Sequence, residues 1–369
     1  MRDDERFMRR ALELARNGLG LAAPNSMVGA VVVAADGAVA GEGWHEGPGT
    51  PHAEVVALRA AGPRARGSLL YTTLEPCAHI GRTPPCAPFI VKAGVAEVIG
   101  GSPDPNPLAA GGFDLLRRSG VRVSVGTLAG ECGALIAGFA KHVRTGLPFV
   151  TLKMASSLDG KVAARDGSSR WVTGPAARED AHRLRAGSGA VVVACGTAVN
   201  DRPALTVRLS GYRGRQPLRV LVDGRGRTPA EGPLFERTAP TLVATTMAAP
   251  DAARTAWERA GAEVSVLDES APGRVALPAL FDLLGKRDVQ DVLLEGGPRL
   301  AWSAVEADLV DRFVLYLAPK LIGGEDAPGI LIGAGVPSIG DALPVSIVSV
   351  ERVGEDVKVV AERDVHRDR

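Results

Sequence analysis

Aromatic residues are scarce: Phe, Trp and Tyr together make up 4% of the 369 residues. Proteins that hold single-stranded nucleic acid stack bases on such rings, so the scarcity argues against that partner. A surplus of one charge is missing too. Lys and Arg number 43 against 42 Asp and Glu, a formal net charge of +1, whereas a nucleic-acid surface normally carries a concentrated basic excess. The four cysteines, Cys77, Cys86, Cys132 and Cys195, are too few for a disulfide framework in a chain this long. No apolar run approaches the roughly 18 residues of a membrane span, and the highly charged stretch from Arg2 to Arg10 does not read as a secretory leader. The expectation is a cytoplasmic protein without a membrane or nucleic-acid partner. What is present is a globular composition, 46% hydrophobic with mean hydropathy +0.09, in a chain long enough for two domains.

The stretch from Pro51 to Cys86 carries the most chemistry. It holds Pro51-His52-Ala53-Glu54 and, after a strand-like run, Leu74-Glu75-Pro76-Cys77 and Gly81-Arg82-Thr83-Pro84-Pro85-Cys86. One imidazole and two thiols suit zinc. Three protein ligands leave the fourth tetrahedral position to water, the catalytic rather than the structural pattern. Glu54 would be no ligand but a carrier of protons between that water and a leaving amine. His-x-Glu followed by Pro-Cys is similar to the signature of zinc deaminases, except that a longer loop separates the two cysteines here. A closed structural site would need a fourth protein ligand, for which His45 and His79 are available, and would leave Glu54 without a task.

Periodicity places these residues. Asp3 to Asn17 reads as an amphipathic helix, 28–34 and 38–42 as a hairpin across Asp36-Gly37, and 52–61 as a helix with His52 and Glu54 in its first turn. Residues 69–74 read as a strand, and Cys86 opens a helix to Lys92. The positive ends of two helices would then face the thiolates. Strand 95–100, helix 108–119, strand 121–125 and helix 129–141 complete an alternation that predicts a mostly parallel sheet. Cys132 on the last helix is assigned to packing. Gly146-Leu147-Pro148 marks a boundary between domains 1–146 and 147–369.

Beyond it, strands are predicted at 149–154, 190–195, 218–223, 241–244, 263–267, 291–295, 312–318 and 345–351, with helices at 175–186, 251–260, 277–285 and 298–305. This predicts an open, largely parallel sheet. Ala194-Cys195-Gly196-Thr197, Val222-Asp223-Gly224 and Glu295-Gly296-Gly297-Pro298 end strands in small residues, where open sheets bind ligands. No Gly-x-Gly-x-x-Gly follows a strand, so the pattern alone supports only a nucleotide- or phosphate-sized ligand, or simple helix stops.

The motifs of 51–86, with Leu152 to Lys161, Trp171-Val172-Thr173, Asp201 to Arg208 and Glu295 to Pro298, resemble the bifunctional riboflavin-biosynthesis deaminase/reductase family, whose long loop between the cysteines this chain shares. The resemblance implies an α/β fold class of two domains: an N-terminal cytidine-deaminase-like α/β/α sandwich and a C-terminal dihydrofolate-reductase-like α/β domain. It implies His52, Cys77 and Cys86 as zinc ligands, Glu54 as the proton carrier, and Asn25, His45, His79 and Arg82 at the substrate. In the second half it implies NADPH near Ala155, Trp171, Thr197, Asp201, Gly224 and Gly297, Pro298, Arg299, Leu300, Ala301, Trp302 and Ser303. It implies substrate near Ser169, Arg185, Leu205, Arg208 and Glu295, with Arg185 and Arg208 as phosphate clamps. The implied chemistry is hydrolytic deamination of a diamino-pyrimidinone ribosylamino phosphate, then NADPH-dependent reduction of its ribosyl group to a ribityl chain. A homo-oligomer is expected. The rival reading is a nucleic-acid-editing zinc deaminase with an accessory domain, disfavoured by the neutral charge and few aromatics.

Overall fold

The computed structural model describes residues 3–81 and 83–363. The chain divides into two compact units, Met1–Gly146 and Leu147–Arg369.

The first unit contains α1 (Asp4–Ala15), β1 (Gly29–Val33), β2 (Val39–Trp44), α2 (Ala53–Ala61), β3 (Leu69–Leu74), α3 (Cys86–Ala93), β4 (Glu97–Ser102), α4 (Gly112–Arg118), β5 (Arg122–Val125), α5 (Ala129–Leu135) and α6 (Ala137–Thr145). Its sheet has the order β2-β1-β3-β4-β5. The expectation of a mostly parallel sheet is corrected. β1 runs antiparallel to both neighbours, and only the β3–β4 and β4–β5 pairs are parallel; the tight Asp36-Gly37 turn accounts for the β1–β2 pair, since such a turn joins only antiparallel strands. Both faces of β1 are buried. Val31 and Val33 pack with Met8, Leu12 and Cys132 on the side of α1 and α5. Ala30 and Val32 pack with Leu58, Ile90 and Leu116 on the side of α2, α3 and α4. The result is a three-layer α/β/α sandwich.

Small residues set how closely α2 lies on the sheet. A Cβ on Gly41 of β2 would sit 2.2 Å from the Ala57 carbonyl oxygen, and one on Gly43 2.4 Å from that of Ala53. Two helix boundaries depart from the sequence reading. The helix expected from 108 begins at Gly112, because the buried Glu75 carboxylate captures the amides of Asp104, Gly111 and Phe113 and holds the preceding segment as a loop. The helix expected over 129–141 breaks at Ile136 into α5 and α6.

The second unit contains β6 (Phe149–Ser157), α7 (Pro175–Ala186), β7 (Ala190–Ala194), α8 (Cys195–Asp201), β8 (Leu218–Val222), β9 (Thr241–Thr245), α9 (Asp251–Arg259), β10 (Glu263–Val266), β11 (Glu269–Ala271), β12 (Arg274–Val275), α10 (Leu277–Gly285), β13 (Asp291–Glu295), α11 (Pro298–Glu306), β14 (Arg312–Ala318), β15 (Val345–Val353) and β16 (Asp356–Arg363). Its nine-stranded sheet runs β10-β9-β8-β7-β13-β6-β14-β16-β15. Pairs from β10 through β14 are parallel, and β16 and β15 close the edge antiparallel. Near-continuous apolar strands suit a sheet covered on both faces. Val192, Val220 and Leu294 pack under α10 and α11, whereas Val191, Val193, Leu221 and Leu293 pack with Trp257 of α9 and Ala198 of α8. Helix α8, the β11–β12 hairpin and strand β16 were not anticipated from the sequence.

Candidate active sites and metal centre

The first site forms where β3 ends. His52 caps α2 with extended backbone, and Cys86 is the first residue of α3. Cys77 follows β3 and is drawn to α3 by two bonds: the Cys86 amide to the Cys77 sulfur (3.4 Å) and the Ala87 amide to its carbonyl (3.1 Å). His52 Nδ1 lies 3.2 Å from Cys86 Sγ and 3.5 Å from Cys77 Sγ. Tetrahedral zinc with ordinary Zn–S and Zn–N bonds separates such ligand atoms by roughly 3.5 Å, so the donor set and its spacing fit that ion. Among the described residues no fourth His, Cys, Asp or Glu joins the cluster.

Both thiols face helix N-termini in a buried setting, and they share a proton. Cys77 is held down at about 4 by hydrogen bonding from the Cys86 thiol, with His52 adding to it. Cys86 is pushed well up by its bond to Cys77 and by burial. A metal ion would displace that proton. Glu54 is 3% exposed, and burial pushes its carboxyl up to about 7 against the opposing charge of His52. Such a group can hold or release a proton near neutral pH.

His45 is not a fourth ligand. Its Nε2 lies 3.0 Å from Asn25 Nδ2 and its Nδ1 3.3 Å from the Pro51 carbonyl, and its ring stands edge-on to His52 at 5.2 Å between centroids. Asn25 and His45 therefore touch each other beside the metal ligands. His79 is exposed on the inter-cysteine loop, and Arg82 lies outside the described residues. Two neighbours escaped the sequence reading. Thr83 Oγ1 is 3.2 Å from His52 Nε2. Asp104, pushed up to about 6 by burial, sits close enough to Cys77 and His79 to feel their charges. The signal for Asp104 was available: a Pro-rich run directly after the carboxyl end of β4, where open sheets place ligands.

The second site lies at the carboxyl ends of the strands in the other unit. Lys153 on β6 stands opposite Glu295 on β13, and β6 runs on to Ser157, so Ala155 reaches past the end of β13 at this rim. Gly296 and Gly297 have φ of 70° and 79°, and Cβ atoms there would meet Thr197 Oγ1 at 3.4 Å. The turns after β7 and β13 thus come together. Glu295 is buried, and burial alone would raise its pKa. The charge and paired hydrogen bonds of Arg185 (2.5 and 2.8 Å), with Lys153 4.0 Å away, outweigh this and hold it at about 2. Arg185 also donates to the Thr206 carbonyl, so its fork is already committed. The Arg208 side chain is exposed, while its amide donates to His182 Nδ1.

Ser169 Oγ donates to Asp201 (3.4 Å), and Arg170 bonds the Asp201 carbonyl. Next to them Trp171 is 63% exposed, with the Arg178 guanidinium 4.5 Å from its ring centroid. Other predicted residues are placed differently. Leu205, at φ 53°, and Leu300 and Ala301 bury their side chains in the core, leaving only backbone to a ligand. Gly224 is buried beside the β11–β12 hairpin: a Cβ would meet the Gly273 oxygen at 2.5 Å, and its own carbonyl accepts from Thr246. Arg299 is exposed at the start of α11, and Trp302 and Ser303 are half-buried.

Comparison with known proteins decides the family. Residues 148–359 match the RibD C-terminal domain, and residues 1–102 match the cytidine and deoxycytidylate deaminase zinc-binding region. The riboflavin biosynthesis protein RibD of Escherichia coli is 40% identical, over 96% of this chain and 98% of its own length. The chain belongs to the RibD family. RibD of Aquifex aeolicus is 38% identical, over 98% of both chains. The solved structure of Acinetobacter baumannii RibD superposes with a TM-score of 0.85 at 38% identity, covering 97% of this chain and 98% of that one. A Thermotoga maritima structure described as a diaminohydroxyphosphoribosylaminopyrimidine deaminase/5-amino-6-(5-phosphoribosylamino)uracil reductase superposes at 0.85 with 34% identity, covering 98% of each. As a member of this family, the protein is a bifunctional deaminase and reductase of riboflavin biosynthesis, built from a zinc-binding cytidine-deaminase-like domain and a RibD reductase domain. Among the described residues no helix is long and apolar enough to cross a membrane.

Proposed function

We propose that unit 1–146 deaminates a diamino-pyrimidinone ribosylamino phosphate and that unit 147–369 then reduces the ribosyl group of the product with NADPH. The observation that carries the reading is the His52, Cys77 and Cys86 cluster with a buried carboxyl beside it and no fourth protein ligand among the described residues. His52 Nδ1 and the two sulfurs would hold zinc, which when bound makes water far easier to ionise. Glu54 takes a proton from the attacking water and delivers it to the exocyclic amine, which leaves as ammonia. Asn25, His45, His79 and Arg82 would contact the substrate, and a guanidinium such as that of Arg82 matches the geometry of its phosphate.

In the other unit NADPH, when bound, supplies hydride to ribose C1. Thr197, Gly224, the amides from Gly297 to Ser303, Ala155, Trp171 and Asp201 would hold it. The glycine turn opening α11 offers backbone donors suited to phosphate. Glu295 and Arg185 position the substrate as an ion pair, Ser169 and the Leu205 backbone flank it, and exposed Arg208 takes its phosphate. Alignment of donor and acceptor is the protein's main task there. The protein works in the cytoplasm, without nucleic acid, as a homo-oligomer. Val345, Ile347, Val348 and Val350 are all exposed on β15, the edge strand of the second sheet, and such an apolar surface supports the homo-oligomer reading. Incubation with the diamino substrate, with and without NADPH, tests the reading. Ammonia should appear in both cases, and NADPH absorbance should fall only after deamination. Absence of ammonia release would overturn it.

A further inference from the structure

We propose that Thr83 is a positioning residue of the metal centre, whose hydroxyl holds His52 in the one tautomer able to bind the ion. The inference rests on the zinc reading above and extends it to a residue outside the ligand set.

The geometry around His52 leaves little freedom. Nδ1 faces both sulfurs, at 3.2 and 3.5 Å. A nitrogen that ligates must present its lone pair, so the single proton of a neutral imidazole has to sit on Nε2. Nε2 is 3.2 Å from Thr83 Oγ1, and a hydroxyl there accepts that proton. Metal-bound histidines regularly donate their other N–H to such a partner, which fixes tautomer and ring plane. The His45 ring, edge-on at 5.2 Å, limits tilting from another side.

Thr83 is half-buried within the loop between the cysteines, and its carbonyl accepts the Gly81 amide at 3.3 Å. The extra residues between Cys77 and Cys86 thus supply a partner to the metal's histidine. In this tautomer Thr83 Oγ1 is the acceptor and the His52 Nε2–H the donor. The loop that carries Arg82 and the orientation of His52 are therefore linked through one hydrogen bond.

The test uses full-length Thr83→Val, Thr83→Ala and Thr83→Ser. Zinc affinity is read by competition with a chromophoric chelator, and ligand geometry by the visible d–d bands of the cobalt-substituted protein. Thr83→Val and Thr83→Ala should weaken zinc binding by about 10- to 100-fold and shift the cobalt bands. Thr83→Ser should restore both. Urea unfolding followed by circular dichroism reports that the first unit of each variant is folded, and either hydroxyl-free variant suffices if the other folds poorly. Parent-like affinity and spectrum without the hydroxyl would overturn the proposal, as would a Thr83→Ser variant as impaired as Thr83→Val. Cys77→Ser separates this from failure of the zinc reading: if it keeps parent affinity, the ligand set is wrong and the role of Thr83 goes with it.

Discussion

Glu54 and Arg208, the proposed proton carrier and phosphate contact, sit in opposite environments, one buried and one exposed. Glu54 is sealed in at the first turn of α2, two residues from His52, and burial raises its carboxyl to about 7. Glu54→Gln preserves shape but cannot carry a proton. Ammonia release should fall by at least about 100-fold, zinc should stay bound by elemental analysis, and reduction of pre-deaminated substrate should continue. Arg208 is exposed, with its loop anchored through the His182 imidazole. Arg208→Ala should raise KM for reduction by roughly 10-fold or more, as loss of a charge-assisted contact does, while ammonia release stays at the parent rate. Equal loss of both activities would contradict separate sites. The ligand set was legible because His-x-Glu and the two cysteines are local patterns of chemically distinctive residues. The contacts of Thr83 and Asp104 were not, because a hydroxyl and a loop carboxylate gain meaning only from what folds against them.

At the scale of elements, the first site depends on how closely α2 lies on β2. Gly43→Ala would force a Cβ to within 2.4 Å of the Ala53 carbonyl, one residue from His52 and Glu54. Overpacking of this kind costs about 1–3 kcal/mol. The urea midpoint should fall, and zinc affinity should fall with it, since the helix end that carries His52 must move. In the second sheet the buried Glu295–Arg185 pair joins β13 to α7. The carboxyl's value of about 2 lies below its ordinary 4.5. A carboxyl depressed in the folded state binds fewer protons there than when unfolded, so its stabilisation is present above about pH 4.5 and is lost as pH falls toward 2. Glu295→Gln should therefore cost on the order of 3 kcal/mol at pH 7. The gap from the parent, followed by urea unfolding, should narrow across that acid window.

At the scale of the whole molecule, the long edge of the second sheet exposes apolar side chains that a monomer would leave in water. Ile347→Asp combined with Val350→Lys should shift the mass measured by light scattering to that of a single chain, with zinc content unchanged. An unchanged mass would overturn the proposal that this edge is a homo-oligomer interface.

Residue type and periodicity by themselves determined the alternating α/β plan, the two-thiol, one-imidazole metal set and the helix starts that carry it, because each depends on neighbours within a few positions. Tertiary structure alone decided that β13 inserts between β7 and β6. It alone decided that Arg185 is spent on Glu295, 110 residues away, that β1 runs antiparallel to both neighbours, and that Leu205 and Leu300 turn into the core. Those outcomes follow from pairing and burial through space, which no local pattern of side chains encodes.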